Sequence, residues 1–189
     1  MIAARNAFAP LLAMLLLAIP PAGALASVEV KGVSFDTRLE AHGQTYRLIG
    51  HGLFRYLLWD AYAGAYYQAE GFPRPAPQAD VPRRLALEYF HAIEAGDFAE
   101  ITRDTLRDQL DDATFRRLLP ALTAFNRAYQ DVGPGDRYVL GWTGERLVLS
   151  LNGETLFEGN NLALANALFG IWLGEAPLGE GFREALLGR

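Results

Sequence analysis

The sequence predicts a single α+β domain in which an antiparallel β-sheet is backed by helices. Three observations support this: apolar and polar residues alternate through the N-terminal half, residues 97–129 have helical periodicity, and a meander of three short strands precedes a further helix. No internal repeat, low-complexity tract or linker divides the chain. Elements in this order are expected to pack as layers around one core.

The first 26 residues have the pattern of a cleaved signal peptide. Arg5 supplies a positive charge, residues 11–19 are apolar, and Ala24-Leu25-Ala26 is an A-x-A cleavage site. The apolar run is shorter than the about 20 residues that a membrane-spanning helix needs. We therefore expect residues 27–189 to form a periplasmic or secreted domain with no membrane anchor after cleavage.

The N-terminal half is predicted to form four strands. They cover residues 28–35, 45–49, 54–67 and 84–91. Gly50-His51-Gly52 predicts a turn or a bulge before the third strand, and Gly64 predicts a kink within it. The third strand is long and aromatic, which favours a central place in the sheet. The proline- and glycine-rich residues 71–82 predict a surface loop.

The second half is predicted to hold helices and a meander. Asp97 and Glu100 have the capping-box spacing at the start of the first helix, and Pro120 should kink or restart the second. Asn152-Gly153 is the preferred type I′ hairpin pair, and Asn161 can cap the helix that follows. The meander strands are predicted at 137–142, 146–151 and 155–158, and a short last helix at 183–188.

Composition excludes several classes of function. The net charge is −5 without any basic block, so a nucleic-acid partner is not expected. The chain has no cysteine, which excludes disulfides, thiol catalysis and thiolate metal sites. His42, His51 and His91 lack metal-ligand spacing, and neither G-x-S-x-G nor G-x-G-x-x-G occurs. We expect no metal and no cofactor.

One aromatic segment stands out as a candidate site. It contains Arg55, Tyr56, Trp59, Asp60, Tyr62, Tyr66 and Tyr67. On a pocket wall, tyrosines can orient a carboxylate or a phenolate, and an arginine can neutralise it with two hydrogen bonds. The alternative is an aromatic core whose hydroxyls reach the surface, with Arg55 extending into solvent.

The chain also resembles the chalcone isomerase-like family, and within it the bacterial exported branch. The resemblance rests on the order of several short motifs across residues 27–189. They are Gly52-Leu53-Phe54-Arg55, Trp59-Asp60-Ala61-Tyr62, Tyr66-Tyr67, Ala86-Leu87-Glu88-Tyr89, Gly135-Asp136, Leu151-Asn152-Gly153, Ile171-Trp172-Leu173-Gly174, Pro177 and Leu186-Leu187-Gly188. The resemblance implies an open-faced β-sandwich, with an antiparallel sheet backed by helices and a pocket between them.

The resemblance implies two kinds of function. Plant enzymes of this fold cyclise a chalcone with an arginine, a threonine and a tyrosine, whereas other members bind fatty acids and do no chemistry. Matching Gly64-Ala65-Tyr66 to the family pattern puts Ala61 in the place of the threonine, and matching the helix start at Gly96-Asp97 puts Phe98 in that of the tyrosine. Neither side chain can donate a hydrogen bond. The arginine position falls near Ile49, between Arg47 and Arg55.

We therefore expect a non-catalytic binder of a small hydrophobic carboxylate or phenolic ligand, such as a fatty acid. Arg55 or Arg47 would hold the anion, Tyr62 or Tyr66 would assist, and Trp59 with Phe169 and Trp172 would form apolar walls. Two alternatives stay open. One is an isomerase that performs a chalcone-type cyclisation as an intramolecular lyase. The other is a structural or assembly factor of the envelope, with a filled core and no cavity.

Overall fold

The fold is built on a seven-stranded antiparallel sheet, which a computed structural model describes at residues 26–74 and 78–189. The predicted signal peptide, residues 1–26, lies outside the described residues except for Ala26. The strands are β1 Ser27–Val30, β2 Val33–Asp36, β3 Arg38–Ala41, β4 Gln44–Tyr56, β5 Trp59–Ala69, β6 Arg83–Tyr89, β7 Arg137–Trp142, β8 Leu147–Leu151 and β9 Glu154–Gly159. The helices are α1 Ala95–Gln109, α2 Asp112–Asn126, α3 Leu162–Leu173 and α4 Glu180–Leu186.

The strand order in the large sheet follows the chain from β3 to β9, and every neighbouring pair is antiparallel. The helices cover one face of this sheet, where the larger apolar core lies. A smaller apolar cluster lies on the other face and includes side chains from the β1–β2 hairpin. This arrangement confirms the predicted α+β class and the open-faced sandwich.

The segment predicted as one strand at 28–35 is in fact a hairpin of two strands. Strands β1 and β2 pair with each other and turn at Lys31 and Gly32, which have φ values of 49° and 83°. Val33 and Phe35 are buried against the outer face of the large sheet. The alternation of residues was thus correct, but the turn glycine divides it into two strands.

The prediction of one central strand at 54–67 is wrong, because the chain reverses its direction at Leu57 and Leu58. Strand β4 runs without a turn from Gln44 to Tyr56, and β5 begins at Trp59 and returns beside it. The register between β4 and β5 shifts at Ile49, so the predicted irregularity near Gly50 is a bulge. Gly64 does not kink β5, which pairs with β6 in unbroken register from Tyr62 to Gln68.

The glycines of β4 serve packing rather than a turn. A Cβ on Gly50 would lie 2.2 Å from the carbonyl oxygen of Ala185, and one on Gly52 would lie 2.8 Å from the Cβ of Ala185. Helix α4 therefore rests directly on the β4 backbone. This contact presses Phe182 and Leu186 into the core.

The helix ends agree with the sequence in part. Asn161 caps α3 by accepting from the Leu164 amide at 3.0 Å, and Asp111 caps α2 through the amides of Ala113 and Thr114. The prediction of an Asp97–Glu100 capping box is wrong, because α1 begins at Ala95 and its N-cap residue, Glu94, makes no side-chain hydrogen bond to the helix. Helix α2 continues from Asp112 to Asn126 through Pro120.

The meander matches its prediction closely. Asn152 and Gly153 turn between β8 and β9 with φ values of 51° and 88°. Leu147 and Leu149 are buried on the helix-facing side of the sheet.

Among the described residues, no helix has both the length and the apolar character needed to cross a membrane.

Candidate ligand-binding cavity

A cavity of about 510 Å³ lies between the helix-facing side of the sheet and helices α1, α2 and α3. Its walls are mainly apolar and aromatic. The sheet contributes Phe54, Tyr56, Ala61, Tyr62, Leu85, Leu87, Tyr89, Tyr138, Leu140 and Leu149. The helices contribute Phe98, Ile101, Thr102, Phe125, Leu168, Ile171 and Trp172, and the segment after α2 contributes Tyr129. The volume is within the range of small-molecule sites, about 300–1,000 Å³. A filled core without a void, as the envelope-factor alternative requires, is not what the fold contains.

The strand period explains why the sheet side of the cavity is so uniform. Leu85, Leu87 and Tyr89 alternate along β6 and point to the same face. Across β7 and β8, Leu140 pairs with both Leu85 and Leu149, which places the three leucines side by side. The floor of the cavity is therefore a continuous aliphatic surface.

Aromatic rings form the end of the cavity nearest the β4–β5 turn. Phe54 and Tyr62 stack with centroids 4.7 Å apart, and Tyr62 meets Tyr89 edge to face at 5.5 Å. Tyr89 in turn meets Phe98 edge to face at 5.3 Å. Such offset and edge contacts hold ring orientations more firmly than area burial alone.

Three tyrosine hydroxyls of the cavity already have partners within the protein. Tyr62 accepts a hydrogen bond from the Trp172 indole at 2.9 Å, and Tyr129 bonds Thr102 at 3.0 Å. Tyr138 donates to the Gln130 carbonyl oxygen at 2.9 Å and accepts from its amide. These bonds fix the cavity walls rather than leaving groups for a ligand.

Tyr89 differs from its neighbours. Its hydroxyl makes no hydrogen bond within the described residues, although the side chain is 4% exposed and lines the cavity. Burial raises the pKa of Tyr89 well above its usual range, and nearby tyrosines add to the effect. The phenol therefore stays protonated at neutral pH and is available as a hydrogen-bond donor.

Burial also raises the pKa of Tyr62 and of Tyr129, although each makes a hydrogen bond that acts in the opposite direction. Neither can exist as a phenolate near neutral pH. These two buried tyrosines therefore offer neutral hydroxyls to the cavity.

The charges around the cavity are negative. Asp97 and Glu100, in the first turns of α1, are the two charged residues among those that line it. Both are exposed, so their carboxylates face solvent at the rim. No arginine, lysine or histidine of the described residues contributes to the lining.

The two arginines expected to hold an anion lie elsewhere. The Arg55 side chain is 67% exposed and donates to Asp60 at 2.7 Å across the hairpin. The Arg47 side chain is 54% exposed and is paired with Glu70. Each guanidinium is attracted to a nearby carboxylate, Asp60 on β5 or Glu70 directly after β5, which holds it away from the cavity.

The other predicted site residues are divided between wall, core and surface. Tyr62 lines the cavity, and Trp172 does so beside it. Tyr66 is fully buried on the same face of β5 but is not part of the lining. Trp59 is 65% exposed on the β4–β5 hairpin, with its ring edge to face against His91.

Sequence reasoning missed Tyr89 as a site residue and Arg83 as a buried cation. The signal for Tyr89 was available, since it continues the inward alternation of Leu85 and Leu87. Arg83 has no exposed surface, lies 4.4 Å from the Phe169 ring, and donates to the Val81 carbonyl oxygen at 2.9 Å. Its other bonds go to the Ala79 carbonyl oxygen and the Asn166 side chain.

Arg83 has a structural role. Burial lowers its pKa to about 10, so it remains charged at neutral pH. Its bonds join β6 to the residues just before that strand and to α3. It is two residues from Leu85, the pairing partner of Tyr66, so Tyr66 and Arg83 are diagonal neighbours on one face.

A second hollow, of about 540 Å³, lies outside this core. It is lined by mixed polar groups such as His42, Gln44, Asp80, Arg146 and Glu158. Its walls come mostly from turns and exposed side chains. It lacks the apolar enclosure of the first cavity, which we take as the candidate site.

Comparison with known proteins agrees with the fold and the motifs. The model of the chalcone isomerase-like family matches residues 27–188. Among solved structures, the chain is similar to a fatty-acid binding protein of Arabidopsis thaliana (AtFAP1), with 18% sequence identity and a TM-score of 0.69. That match covers 86% of this chain and 96% of the plant protein. No curated protein matches the sequence significantly. Because the family model spans nearly the whole described chain, this protein belongs to the chalcone isomerase-like family.

Proposed function

We propose that this protein is a non-catalytic binder of a small amphipathic ligand with an apolar body, such as a fatty acid or its ester. The observation that supports this most directly is the apolar cavity of about 510 Å³ with neutral phenols in its wall. Burial of the ligand body against the aliphatic floor would supply most of the affinity.

The polar end of the ligand is assigned to Tyr89. Its hydroxyl is the buried cavity phenol that lacks a partner within the described residues, since Tyr56 is largely exposed, and it can donate one hydrogen bond to a carbonyl or carboxyl oxygen. A carboxylate is less favoured than a neutral head, because the lining has no cation and carries Asp97 and Glu100 at its rim. A fatty acid would therefore bind in its protonated form, or with its carboxylate outside the cavity.

A chalcone-type cyclisation has less support. It would require donors that stabilise a developing negative charge. Ala61 and Phe98, which stand at the positions implied by the resemblance, both line the cavity and cannot donate. Burial also raises the pKa values of Tyr62, Tyr89 and Tyr129, which disfavours each of them as a phenolate base at neutral pH.

The site of action is proposed to be outside the cytoplasm. The support is the sequence pattern of residues 1–26. Expression of the full chain with fractionation of the cells, followed by N-terminal sequencing of the exported form, tests this. A protein that stays in the cytoplasm with residues 1–26 attached would overturn the location and leave the binding proposal intact.

Ligand binding is tested in two steps. First, the purified protein is extracted with organic solvent, and the extract is analysed by mass spectrometry for a bound amphiphile. Second, a long-chain fatty acid and its methyl ester are compared at neutral pH by displacement of a fluorescent acyl probe. We expect the ester to bind at least as tightly as the acid, and binding of the acid to tighten as the pH falls.

Variants separate the roles of the residues. Tyr89→Phe should weaken ester binding roughly 2- to 13-fold, since a neutral hydrogen bond contributes about 0.5–1.5 kcal/mol. Tyr67→Phe on the opposite face of the sheet is the matched control and should not change affinity. Leu149→Trp, which fills the cavity, should abolish binding. Turnover of chalcone by the wild type, or binding that survives Leu149→Trp, would refute the proposal.

A further inference from the structure

The tip of the β4–β5 hairpin exposes four large apolar residues in a row. Tyr56 is 66% exposed, Leu57 80%, Leu58 97% and Trp59 65%. Leu57 also has a φ of 54°, a left-handed conformation that leucine rarely adopts. A turn at this place is normally made from glycine, asparagine or aspartate. Folding stability alone does not account for two leucines there.

The exposed tip is continuous with the rim of the cavity. Tyr56 belongs to the tip and also lines the cavity. Ile101 and Leu178 line it as well, and they are 53% and 41% exposed. An apolar patch therefore extends from the hairpin turn to the opening through which a ligand would enter.

The hairpin is layered by chemistry along its axis. Leu57 and Leu58 form the turn, Tyr56 pairs with Trp59 behind it, and Arg55 pairs with Asp60 in the next position. Lys31, from the β1–β2 turn, binds Asp60 as well. Two strand residues span about 7 Å, so the charged layer lies roughly that far behind the turn.

The structure assigns this hairpin tip, residues 56–59, as a docking surface for the interfacial region of a lipid bilayer. Leucines would enter the acyl boundary, Tyr56 and Trp59 would lie at headgroup level, and Arg55, Lys31 and Asp60 would remain in water. Interfacial elements bury apolar side chains about 5–10 Å deep, which matches the spacing of these layers. Trp and Tyr are the residues that favour this boundary.

The charges near the hairpin tip indicate whether apolar burial or attraction to anionic lipid dominates docking. The two cations share Asp60, and Asp97 with Glu100 lies at the cavity rim, so the mouth carries no excess of positive charge. Docking is therefore driven by apolar burial and should depend little on anionic lipid or on salt. A bilayer at the mouth would let an apolar ligand pass into the cavity without crossing water. Only this transfer depends on the proposed function, whereas docking does not.

Vesicle flotation tests the assignment. The full domain is mixed with vesicles of phosphatidylcholine alone and of equimolar phosphatidylcholine and phosphatidylglycerol, at low and high salt. The wild type should float with both kinds of vesicle, and its tryptophan emission should shift to the blue. The shift should be lost in Trp59→Phe.

The decisive variant combines Leu57→Asn with Leu58→Ser. Neither side chain lines the cavity or is buried, so the thermal midpoint and acyl-probe binding in vesicle-free solution should be retained. Vesicle binding should fall at least about tenfold, because the burial of two leucines is lost. Leu119→Ser, an exposed leucine on α2, is the matched control and should float like the wild type.

Two results would overturn the docking surface. One is a failure in flotation, either because the wild type does not float or because the double variant floats as well as the wild type. The other is a wild-type dimer that the double variant converts to a monomer without any flotation, which would make the tip a self-association surface. Flotation by a protein that fails to bind any acyl probe would overturn the proposed function and leave the docking intact.

Discussion

Replacing Gly50 by alanine tests how the last helix is held on the sheet. The added Cβ would lie 2.2 Å from the Ala185 carbonyl oxygen, 2.6 Å from the Leu186 carbonyl oxygen and 2.6 Å from the Gly188 amide nitrogen. All three atoms belong to backbone, so no side-chain rotation relieves the contact. Either β4 or the C-terminal end of α4 must move by on the order of 1 Å, because close-packed interiors transmit such strain.

The cost follows from what α4 buries. Phe182 is 5% exposed and Leu186 has no exposed surface, and full burial of each contributes about 1.5–3 kcal/mol. Losing part of this packing should destabilise the domain by roughly 2–4 kcal/mol. For a domain of this size, that lowers the thermal midpoint by about 4–16 °C.

The matched control is Gly181→Ala in α4 itself. A Cβ there meets nothing within 4 Å, and the position is helical. Alanine should stabilise the helix by about 0.5–1 kcal/mol, because glycine is a poor helix former. Both variants are measured by urea unfolding followed by circular dichroism. If the free energy of unfolding of Gly50→Ala lies within about 0.5 kcal/mol of the wild-type value, the proposed packing of α4 on β4 is refuted.

Three further changes test other parts of the structure. Leu57→Gly should stabilise the domain by about 0.5–1 kcal/mol in urea unfolding, because glycine adopts a positive φ without steric cost. A less stable variant would contradict the idea that Leu57 is strained. Arg83→Met should destabilise the domain by about 2–4 kcal/mol, because buried carbonyl oxygens and Asn166 lose their donor, and Arg83→Lys should recover only part of this loss. An unchanged urea midpoint for Arg83→Met would argue against the structural role of Arg83. The Gly133 amide and the Asn152 side chain lower the pKa of Asp136 in the folded state. The ionised Asp136 carboxylate therefore stabilises the fold fully above the unfolded pKa of about 3.9, and this stabilisation is lost as the pH falls through the folded pKa. Asp136→Asn should remove this contribution to the loss of stability in acid. An acid unfolding transition identical to that of the wild type would contradict the role of Asp136.

Local chemistry explains which elements were predictable. Asn152-Gly153 adopts positive φ at both positions, and the Asn161 side chain accepts from the Leu164 amide. In both cases the residue type and its immediate neighbours are sufficient to set the backbone. The same reasoning failed at Leu57 and Leu58, because leucine gives no turn signal. It also failed to explain Gly50 and Gly52, which are small because α4 lies on them.

The candidate site could be predicted only in part. Trp172 was expected in an apolar wall and Tyr62 beside the ligand anion; both line the cavity, with the Tyr62 hydroxyl bonded to the Trp172 indole. Tyr89 carried the correct alternation along β6, yet its importance depends on its hydroxyl lacking a partner, which no sequence pattern reveals. The carboxylate partners of Arg55 and Arg47 likewise come from the strand pairing that follows the turn at Leu57.

The sequence by itself determined the α+β class, the antiparallel sheet backed by helices and the family, because periodicity, turn pairs and motif order are properties of neighbouring residues. Only the tertiary structure decided which polar groups reach the cavity. A guanidinium on a strand can point to solvent or to the core, and the choice depends on the charges opposite it. Here Asp60 and Glu70 hold the two candidate arginines at the surface, so the described lining has neutral phenols inside and the carboxylates of Asp97 and Glu100 at its rim, but no cation.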